Sequence, residues 1–469
     1  MAGSLRKRLD KIGEDSKKTV AKANDRMKVT REIENTGYQS ENKEVNEILS
    51  FIQTRILADY PSILAKARSN DDNRSRLRAI VSQLLVKENI RVENMEREKL
   101  SDYLVDEIIG YGPIEVFIRD SQVSEIMVNG SRQVFVEKDG KIQSTEIFFK
   151  DDDHVLAIIE RIVAPIGRRI DQSSPYVDAR LPDGSRVHAI IPPLSLTGPI
   201  LTIRKFLKKS IQMDGLVKLG SLSLEMASFL NQCVQAKMNV MISGGTGSGK
   251  TTLLNALSGN IPDSQERIIT IEDAAELKLN QNHVISLECR PPNIEGKGEI
   301  TIRQLLRNAL RMRPDRIIIG ECRGAEAFDM LQAMNTGHSG SLTTIHANHA
   351  KDALSRLENM ILMAGENLPY NIIREQIVSA IDIIVQQARF ADGSRKVTSI
   401  AKVNKVLSGN SQIELKYVYQ FEVEGLDQQG RLNGDYVHNE DIEYSDDFIT
   451  KIKAAGLESM QIENKEMNT

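Results

Sequence analysis

Residues 244–251 fit the phosphate-binding motif G-x-x-x-x-G-K-[ST], which constrains the fold more than any other feature of this chain. We call these residues the glycine-rich loop. The apolar run Val240–Ile242 before it predicts a buried strand, and residues 252–257 predict the helix that follows. Glycines let backbone N–H groups turn inward around phosphates, and a helix N-terminus adds partial positive charge. The order strand, loop and helix therefore predicts a site for a nucleoside triphosphate.

Individual positions of the glycine-rich loop predict individual contacts. Lys250 is expected to reach the β and γ phosphates, and the Thr251 hydroxyl is expected to bind Mg²⁺. The predicted cofactors are therefore ATP and Mg²⁺. The predicted nucleotide-binding residues of this segment are Gly244, Gly245, Thr246, Gly247, Ser248, Gly249, Lys250, Thr251 and Thr252.

Length and composition favour a soluble chain of several domains. The 469 residues correspond to about three domains, and 40% of them are hydrophobic and 27% charged. No apolar run approaches the ~18 residues of a membrane-spanning helix, and the N-terminus lacks the apolar core of a signal peptide. The three scattered cysteines give neither a metal-binding nor a disulfide pattern. A cytoplasmic location is therefore expected.

Charge and hydrophobic periodicity divide the chain into five predicted segments. Residues 1–43 form a basic arm that is expected to be disordered, and residues 44–109 have the helical spacing of a small bundle. Alternating strands predict an α+β domain with an antiparallel sheet over residues 110–206. Strands alternate with helices over residues 211–405, which predicts a doubly wound α/β domain. No role is assigned to the extension at 406–469.

Glu321 lies at the end of an apolar strand predicted at residues 316–319. Ligands of doubly wound sheets bind at the carboxyl ends of the strands, so this carboxylate is expected near the phosphates. The Asp that commonly holds Mg²⁺ on such a strand is replaced by Gly320. Glu321 is therefore expected to orient water or to hold a hydrated Mg²⁺. The alternative is an ordinary polar strand end.

Three further carboxylates, those of Glu272, Asp273 and Glu276, follow another predicted strand. Close carboxylates repel each other unless they share a cation or a proton, which favours a metal or catalytic setting. An acidic helix start is the alternative, because Asp and Glu interact favourably with the helix dipole. From these residues alone, the helix start is the better interpretation.

Two histidines and three arginines complete the candidate site. His346 ends a predicted strand, where it is placed to sense the γ-phosphate, and His338 lies eight residues earlier. Arg180, Arg186 and Arg204 lie on strands of the preceding domain. They are either surface charges, the better interpretation from the residues alone, or arginine fingers that reach a phosphate.

Together these stretches resemble the type II/type IV secretion-system traffic ATPases. The family order is glycine-rich loop, Asp box (271–277), atypical Walker B segment (317–324) and His box (336–348). The resemblance spans about residues 100–405 and is closer to the tight-adherence (Tad/Flp) pilus assembly motor ATPases. The segments that carry this closer likeness are residues 110–113, 125–130, 165–171, 178–187 and 201–205.

The resemblance implies an α/β fold in which a RecA-like P-loop ATPase domain follows a PAS-like α+β domain and the small helical bundle. It also implies hexameric rings with nucleotide between the two larger domains. Glu321 then resembles the catalytic glutamate, and the Asp-box acids resemble those near Mg²⁺ and the attacking water. These acids are Glu272 and Glu276, with catalytic roles, and Asp273, which with Thr251 and Glu321 is expected at the metal.

The resemblance also assigns the remaining candidates. His338 and His346 resemble the catalytic His-box residues. Arg186 and Arg204 resemble arginines that contact phosphates during catalysis, and Arg180 is expected to bind nucleotide.

The predicted function is that of a hexameric motor that hydrolyses ATP to power pilus extension or retraction, or related secretion, at the inner membrane. Inner-membrane pilus platform proteins are the expected partners. The alternatives are a RecA-like nucleic-acid motor and an ATP-binding scaffold that does not hydrolyse. Aromatic residues make up only 4% and the isoelectric point is near 6.1, so no nucleic-acid partner is expected. Glu321 and the arginines weigh against the scaffold.

Overall fold

The computed structural model describes most of the chain after residue 42 and divides it into two compact units, residues 1–207 and 208–469. The predicted basic arm lies outside the described residues except for its last residue. Within the described part, no helix is both long enough and apolar enough to span a bilayer. The described ranges are 43–60, 71–87, 94–206, 211–262, 266–292, 297–365, 368–405, 407, 412–427 and 430–457.

The first unit begins with three helices that share one apolar core. They are α1 (Lys43–Asp59), α2 (Asp71–Lys87) and α3 (Asn94–Ile108). Apolar residues recur three or four positions apart, so each helix turns one stripe inward. The buried members of this core are Ile52, Ile56, Leu77, Val81, Leu84, Leu85, Leu100, Leu104, Val105 and Ile108.

A six-stranded antiparallel sheet forms the rest of the first unit, with strand order β3-β2-β1-β6-β5-β4. One face packs against a helix whose first turn is capped by Asp151, which accepts the His154 N–H at 2.8 Å. The elements are α4 (Glu115–Arg119), β1 (Val123–Asn129), β2 (Gln133–Lys138), β3 (Lys141–Ser144), α5 (Asp152–Val163), β4 (Tyr176–Arg180), β5 (Arg186–Ile190) and β6 (Ile200–Arg204).

The second unit begins with two helices and continues as alternating strands and helices. These elements are α6 (Met213–Lys218), α7 (Leu224–Gln235), β7 (Val240–Gly244), α8 (Lys250–Ser258), β8 (Ile268–Glu272), β9 (Val284–Glu288), α9 (Ile302–Ala309), β10 (Arg316–Cys322), α10 (Glu326–Asn335), β11 (Leu342–His346), α11 (Ala350–Met363) and α12 (Tyr370–Ala380). The unit ends with β12 (Ile383–Arg389), β13 (Arg395–Val403), β14 (Leu415–Leu426), β15 (Leu432–His438) and α13 (Asp446–Ala454).

These strands form one nine-stranded mixed sheet in the order β15-β14-β13-β12-β7-β11-β10-β8-β9. The neighbouring strands β12, β7, β11, β10, β8 and β9 run parallel to one another. The pairs β12–β13, β13–β14 and β14–β15 are antiparallel. Two apolar cores pack on the two faces, which confirms the prediction of an α/β fold. The carboxyl ends of the parallel strands meet at one edge of the sheet.

The second unit contains more strands than the sequence analysis predicted. Strands β12 and β13 were not predicted, and no role was assigned to residues 406–469. In the structure β14 and β15 continue the sheet beyond β13, and α13 packs Phe448 and Ile452 into the same core as β7 and α8. The C-terminal residues described here are therefore integral to the second unit.

Candidate nucleotide-binding site

The glycine-rich loop joins the end of β7 to the start of α8. Gly247 and Gly249 have φ angles of 69° and 99°, in the left-handed region that glycine adopts without steric cost. Gly249 is also the N-cap of α8, which begins at Lys250. A Cβ atom at Gly244 would lie 2.5 Å from the carbonyl oxygen of Gln387, so a side chain does not fit there. The loop geometry therefore requires glycine at the two fixed glycine positions of the motif, 244 and 249, and also at position 247.

Lys250 folds back over the glycine-rich loop. Its Nζ atom donates to the carbonyl oxygens of Gly244 and Gly245, each at 3.0 Å, and its side chain is buried. The loop thus holds a buried ammonium group against its own backbone. Thr251 and Thr252 follow in the first turn of α8, where both are half-buried.

His346, at the end of β11, contacts the loop at two points. Its Nε2 atom lies 3.2 Å from Thr246 Oγ1, and its Nδ1 atom lies 3.5 Å from Lys250 Nζ. Burial and the nearby Lys250 ammonium lower the pKa of His346, which favours the neutral imidazole. The structure thus brings this predicted histidine to the loop.

Arg323 connects two of the predicted acids. Its Nη2 atom donates to Glu321 Oε2 at 2.7 Å, and its Nη1 atom donates to Asp273 Oδ2 at 2.9 Å. The other oxygen of Glu321 lies 3.7 Å from His346 Nδ1. Burial opposes the ionisation of Glu321, but the Arg323 guanidinium outweighs it and lowers the pKa of that carboxyl. One chain of contacts therefore runs from the loop through His346 and Glu321 to Asp273.

Glu272 is buried and turns toward its own loop. Its Oε2 atom accepts the backbone N–H groups of Glu276 at 2.8 Å and Leu277 at 3.1 Å. A Cβ atom at Gly320 would lie 2.9 Å from Glu272 Cγ. The Glu272 side chain therefore occupies space that an Asp at position 320 would need. This accounts for glycine at the position where such a strand commonly has an Mg²⁺-binding Asp. Glu276 itself is half-buried, and both catalytic assignments stay predictions.

His338 lies away from the glycine-rich loop of its own chain. It follows α10, and its Nδ1 atom lies 3.2 Å from the carbonyl oxygen of Ala333. The adjoining Gly340 N–H donates at 2.9 Å to Asn239, which precedes β7. His338 is therefore at the amino-terminal edge of the sheet, roughly 15 Å from the loop by the length of a five-residue strand. Its catalytic role stays a prediction.

The hairpin of β12 and β13 brings further side chains to the loop. Arg395 Nε donates to the Gly247 carbonyl oxygen at 2.9 Å. Arg389 Nη1 lies 3.3 Å from where a Gly247 Cβ would be, and Gln387 Nε2 lies 3.1 Å from the Cβ position of Gly249. The sequence analysis missed these residues because it did not predict the two strands that carry them.

The three candidate arginines form a row on the sheet of the first unit. Arg180 stands opposite Arg186, Arg186 stands opposite Arg204, and Arg204 stands opposite Glu125. Directly opposed residues share a face, and here it is the face turned away from the apolar core. Arg204 Nε lies 3.6 Å from Glu125 Oε1. Like charges placed directly opposite destabilise a sheet unless other groups compensate them. The roles of the three arginines at phosphates stay predictions.

Residues 107–413 match the family model described as "Type II/IV secretion system protein". The chain belongs to the type II/IV secretion system protein family. A protein of Mycobacterium tuberculosis named for conjugal transfer is 36% identical over 305 residues, which cover 64% of this chain and 86% of that protein. The type IV secretion system protein VirB11 of Bartonella quintana is 33% identical over 361 residues, covering 68% of this chain and all of the relative.

A solved structure also resembles this type II/IV secretion system protein. It is the VirB11 ATPase from the Brucella suis type IV secretion system in complex with sulphate, at 29% identity and a TM-score of 0.35. The match covers 62% of this chain and 95% of that one. The family model and the VirB11 relative confirm the predicted membership of the secretion traffic ATPases, and the protein is an ATPase. The closer likeness to the tight-adherence branch stays a prediction.

Proposed function

We propose that this family member is a hexameric motor in which ATP hydrolysis powers pilin assembly, in extension or retraction, or related secretion. The observation that carries the proposal is the chain of contacts from the glycine-rich loop through His346 to Glu321 and Asp273. Hydrolysis needs a group that orients water in addition to a phosphate cradle, and Glu321 is such a group. The second unit is then a RecA-like domain, and the sheet of the first is PAS-like.

Each contact in this chain has a proposed task. The loop N–H groups and the N-terminus of α8 hold the phosphates, and Lys250 adds the main point charge. Glu321 orients the attacking water and takes up its proton. The neutral His346 imidazole lies between Thr246 and Lys250, where it senses the γ-phosphate. The remaining loop residues bind through their backbones.

Mg²⁺ fits this donor set. Asp273 and Glu321 already share one cation, the Arg323 guanidinium, so their charges face a common point. Among the described residues, no group of three or more His, Cys, Asp and Glu side chains could hold a metal ion. Mg²⁺ is commonly held by a few oxygen atoms together with phosphates and water, and here Thr251, Asp273 and Glu321 would supply the oxygens. When bound, Mg²⁺ neutralises charge on the β and γ phosphates.

The arginine row supplies further positive charge to the phosphates in this proposal. Arg186 and Arg204 act during catalysis, and Arg180 contributes to nucleotide binding. The observation that supports these roles is that the three arginines occupy directly opposed positions on neighbouring strands, on the face of the sheet turned away from the apolar core.

We expect Arg204→Ala to lower turnover by about tenfold to a hundredfold while nucleotide affinity falls by less. The proposed contact between Arg204 and a phosphate should strengthen as negative charge develops in the transition state. Steady-state kinetics and nucleotide titration measure the two effects separately. Glu125→Gln is the matched control, because it removes the ion-pair partner of Arg204 and keeps the arginine. Equal losses of affinity and turnover would mean that Arg204 acts only on the ground state.

The motor proposal also requires a closed ring. We expect mass photometry with a non-hydrolysable ATP analogue to report a hexamer, and specific ATPase activity to rise with protein concentration as the hexamer fraction rises. Nucleotide-free protein at the same concentrations is the control. A monomer with full activity at every concentration would contradict the ring. The proposed partners are inner-membrane pilus platform proteins, which would place the ring at the cytoplasmic face of that membrane.

A further inference from the structure

Strands β14 and β15 begin after residue 413, where the family match ends. They contact the hairpin of β12 and β13, and that hairpin contacts the glycine-rich loop. The C-terminal strands are therefore connected to the candidate nucleotide site through two successive sets of contacts within the second unit.

The first set joins the hairpin to the loop. Arg389 and Arg395 are directly opposed at the end of the hairpin. Arg395 Nε holds the Gly247 carbonyl oxygen at 2.9 Å, and Arg395 Cδ lies 3.3 Å from where a Gly249 Cβ would be. The C=O and N–H groups of a trans peptide point in opposite directions. Fixing the Gly247 carbonyl therefore also fixes the direction of the Ser248 N–H, which donates to the Gly245 carbonyl oxygen at 3.4 Å and so holds the shape of the loop.

The second set joins the turn of the hairpin to the C-terminal strands. Asp392 Oδ2 accepts the backbone N–H of Leu432, the first residue of β15, at 2.8 Å. Its Oδ1 atom accepts the Ser394 N–H at 2.9 Å and the Ser394 hydroxyl at 2.7 Å. One carboxylate thus ties the turn both to itself and to β15.

Aromatic contacts reinforce this connection. The Phe421 ring of β14 lies 6.1 Å from the Phe390 ring, centroid to centroid, in an edge-on arrangement. Lys396 Nζ lies 5.6 Å from the Phe421 centroid, and the Tyr436 ring of β15 lies 4.9 Å from it. Phe421 therefore contacts both ends of the hairpin turn and the neighbouring strand.

We propose that β14 and β15 are a positioning element for nucleotide binding. They hold the β12–β13 hairpin so that Arg395 fixes the Gly247 carbonyl and keeps the glycine-rich loop shaped for phosphates. This inference rests on the proposed nucleotide site and assigns a role in affinity to a segment outside the family match.

Arg395→Met tests the first set of contacts, because it keeps a long side chain and removes the donor. We expect the Kd for ADP and the KM for ATP to rise by about tenfold, since a charged donor to a carbonyl is lost. The kcat at saturating ATP should stay within about twofold of the wild-type value, because saturating ATP occupies the loop of the variant as well and Glu321 is unchanged. Unchanged ADP affinity in Arg395→Met would overturn the inference.

A matched pair at Leu432 tests the second set. Leu432→Pro removes the N–H that Asp392 accepts, at the first residue of a strand, where proline is tolerated. Leu432→Ala keeps that N–H and shortens the side chain. We expect Leu432→Pro to weaken ADP binding by about threefold or more and Leu432→Ala to leave it unchanged. Leu432→Pro should add little to Arg395→Met, because both act through one contact.

If Leu432→Pro does not fold, Phe421→Leu applies the same test, with Val423→Ala as the control at an exposed position of the same strand. Wild-type ADP affinity in the folded Leu432→Pro or Phe421→Leu variant would overturn the role of β14 and β15, as would full additivity with Arg395→Met. A wild-type protein that does not bind ADP would instead contradict the proposed nucleotide site.

Discussion

Glu321→Gln should reduce ATP turnover by about 10³-fold and leave nucleotide affinity within about twofold of the wild type. The amide has nearly the shape of the carboxylate and still offers an oxygen to Arg323, so the contacts around it can persist. It cannot take a proton from the attacking water, and it lacks the charge that orients that water. Binding and turnover should therefore separate in this variant.

The measurement is steady-state hydrolysis together with titration of a fluorescent ATP analogue. Asp273→Asn is the matched control, because it makes the same carboxylate-to-amide change on the other side of Arg323. We expect a smaller loss there. Glu321 itself lies 3.7 Å from His346, whereas Asp273 is connected to that histidine through Arg323 and Glu321. Wild-type turnover by Glu321→Gln would show that another residue activates the water.

Much of the second unit follows from local sequence. Runs such as Ile317–Ile319 and Val240–Ile242 are apolar throughout, as expected of strands covered on both faces. Since such strands are parallel, their carboxyl ends meet at one edge. This rule is sufficient to place the glycine-rich loop, Glu321 and His346 together, and the structure shows the contacts.

The contacts that the sequence did not reveal are long-range and lie on surfaces of mixed polarity. Tyr419, Phe421 and Val423 alternate with the polar residues Gln420, Glu422 and Glu424, which indicates a strand, but the acidic neighbours obscured the pattern. Arg395 reaches Gly247 from a position 148 residues later, and no motif links the two. Spacing does not identify such a pair. The contact between Arg395 and Gly247 forms because the sheet places β12, the first strand of the hairpin, next to β7.

The two histidines show the same limit in another way. His338 and His346 lie in the one predicted His box, but they stand at opposite ends of β11. A strand of five residues separates the two edges of the sheet, so nearness in sequence does not place both at one site. The strand-end rule distinguishes them, because only His346 lies at the carboxyl end of β11.

Lys250→Ala should abolish detectable turnover and weaken nucleotide binding by about a hundredfold or more. The phosphates lose their main point charge, and the Gly244 and Gly245 carbonyls lose the ammonium that they contact. Ligand-dependent stability is the sharpest readout. Nucleotide at about 100 times its Kd should stabilise the wild type by about 2.7 kcal/mol, and the variant should lose nearly all of this at the same concentration.

Lys351→Ala is the control for Lys250→Ala, because it removes an exposed positive charge from α11 of the same unit. It should keep the full stabilisation by nucleotide. The double variant Lys250→Ala/Glu321→Gln should behave like Lys250→Ala alone, since Glu321 has no bound phosphate to act on once the charge is gone. If Lys250→Ala kept the nucleotide-dependent stabilisation of the wild type, the glycine-rich loop would not be where the phosphates bind.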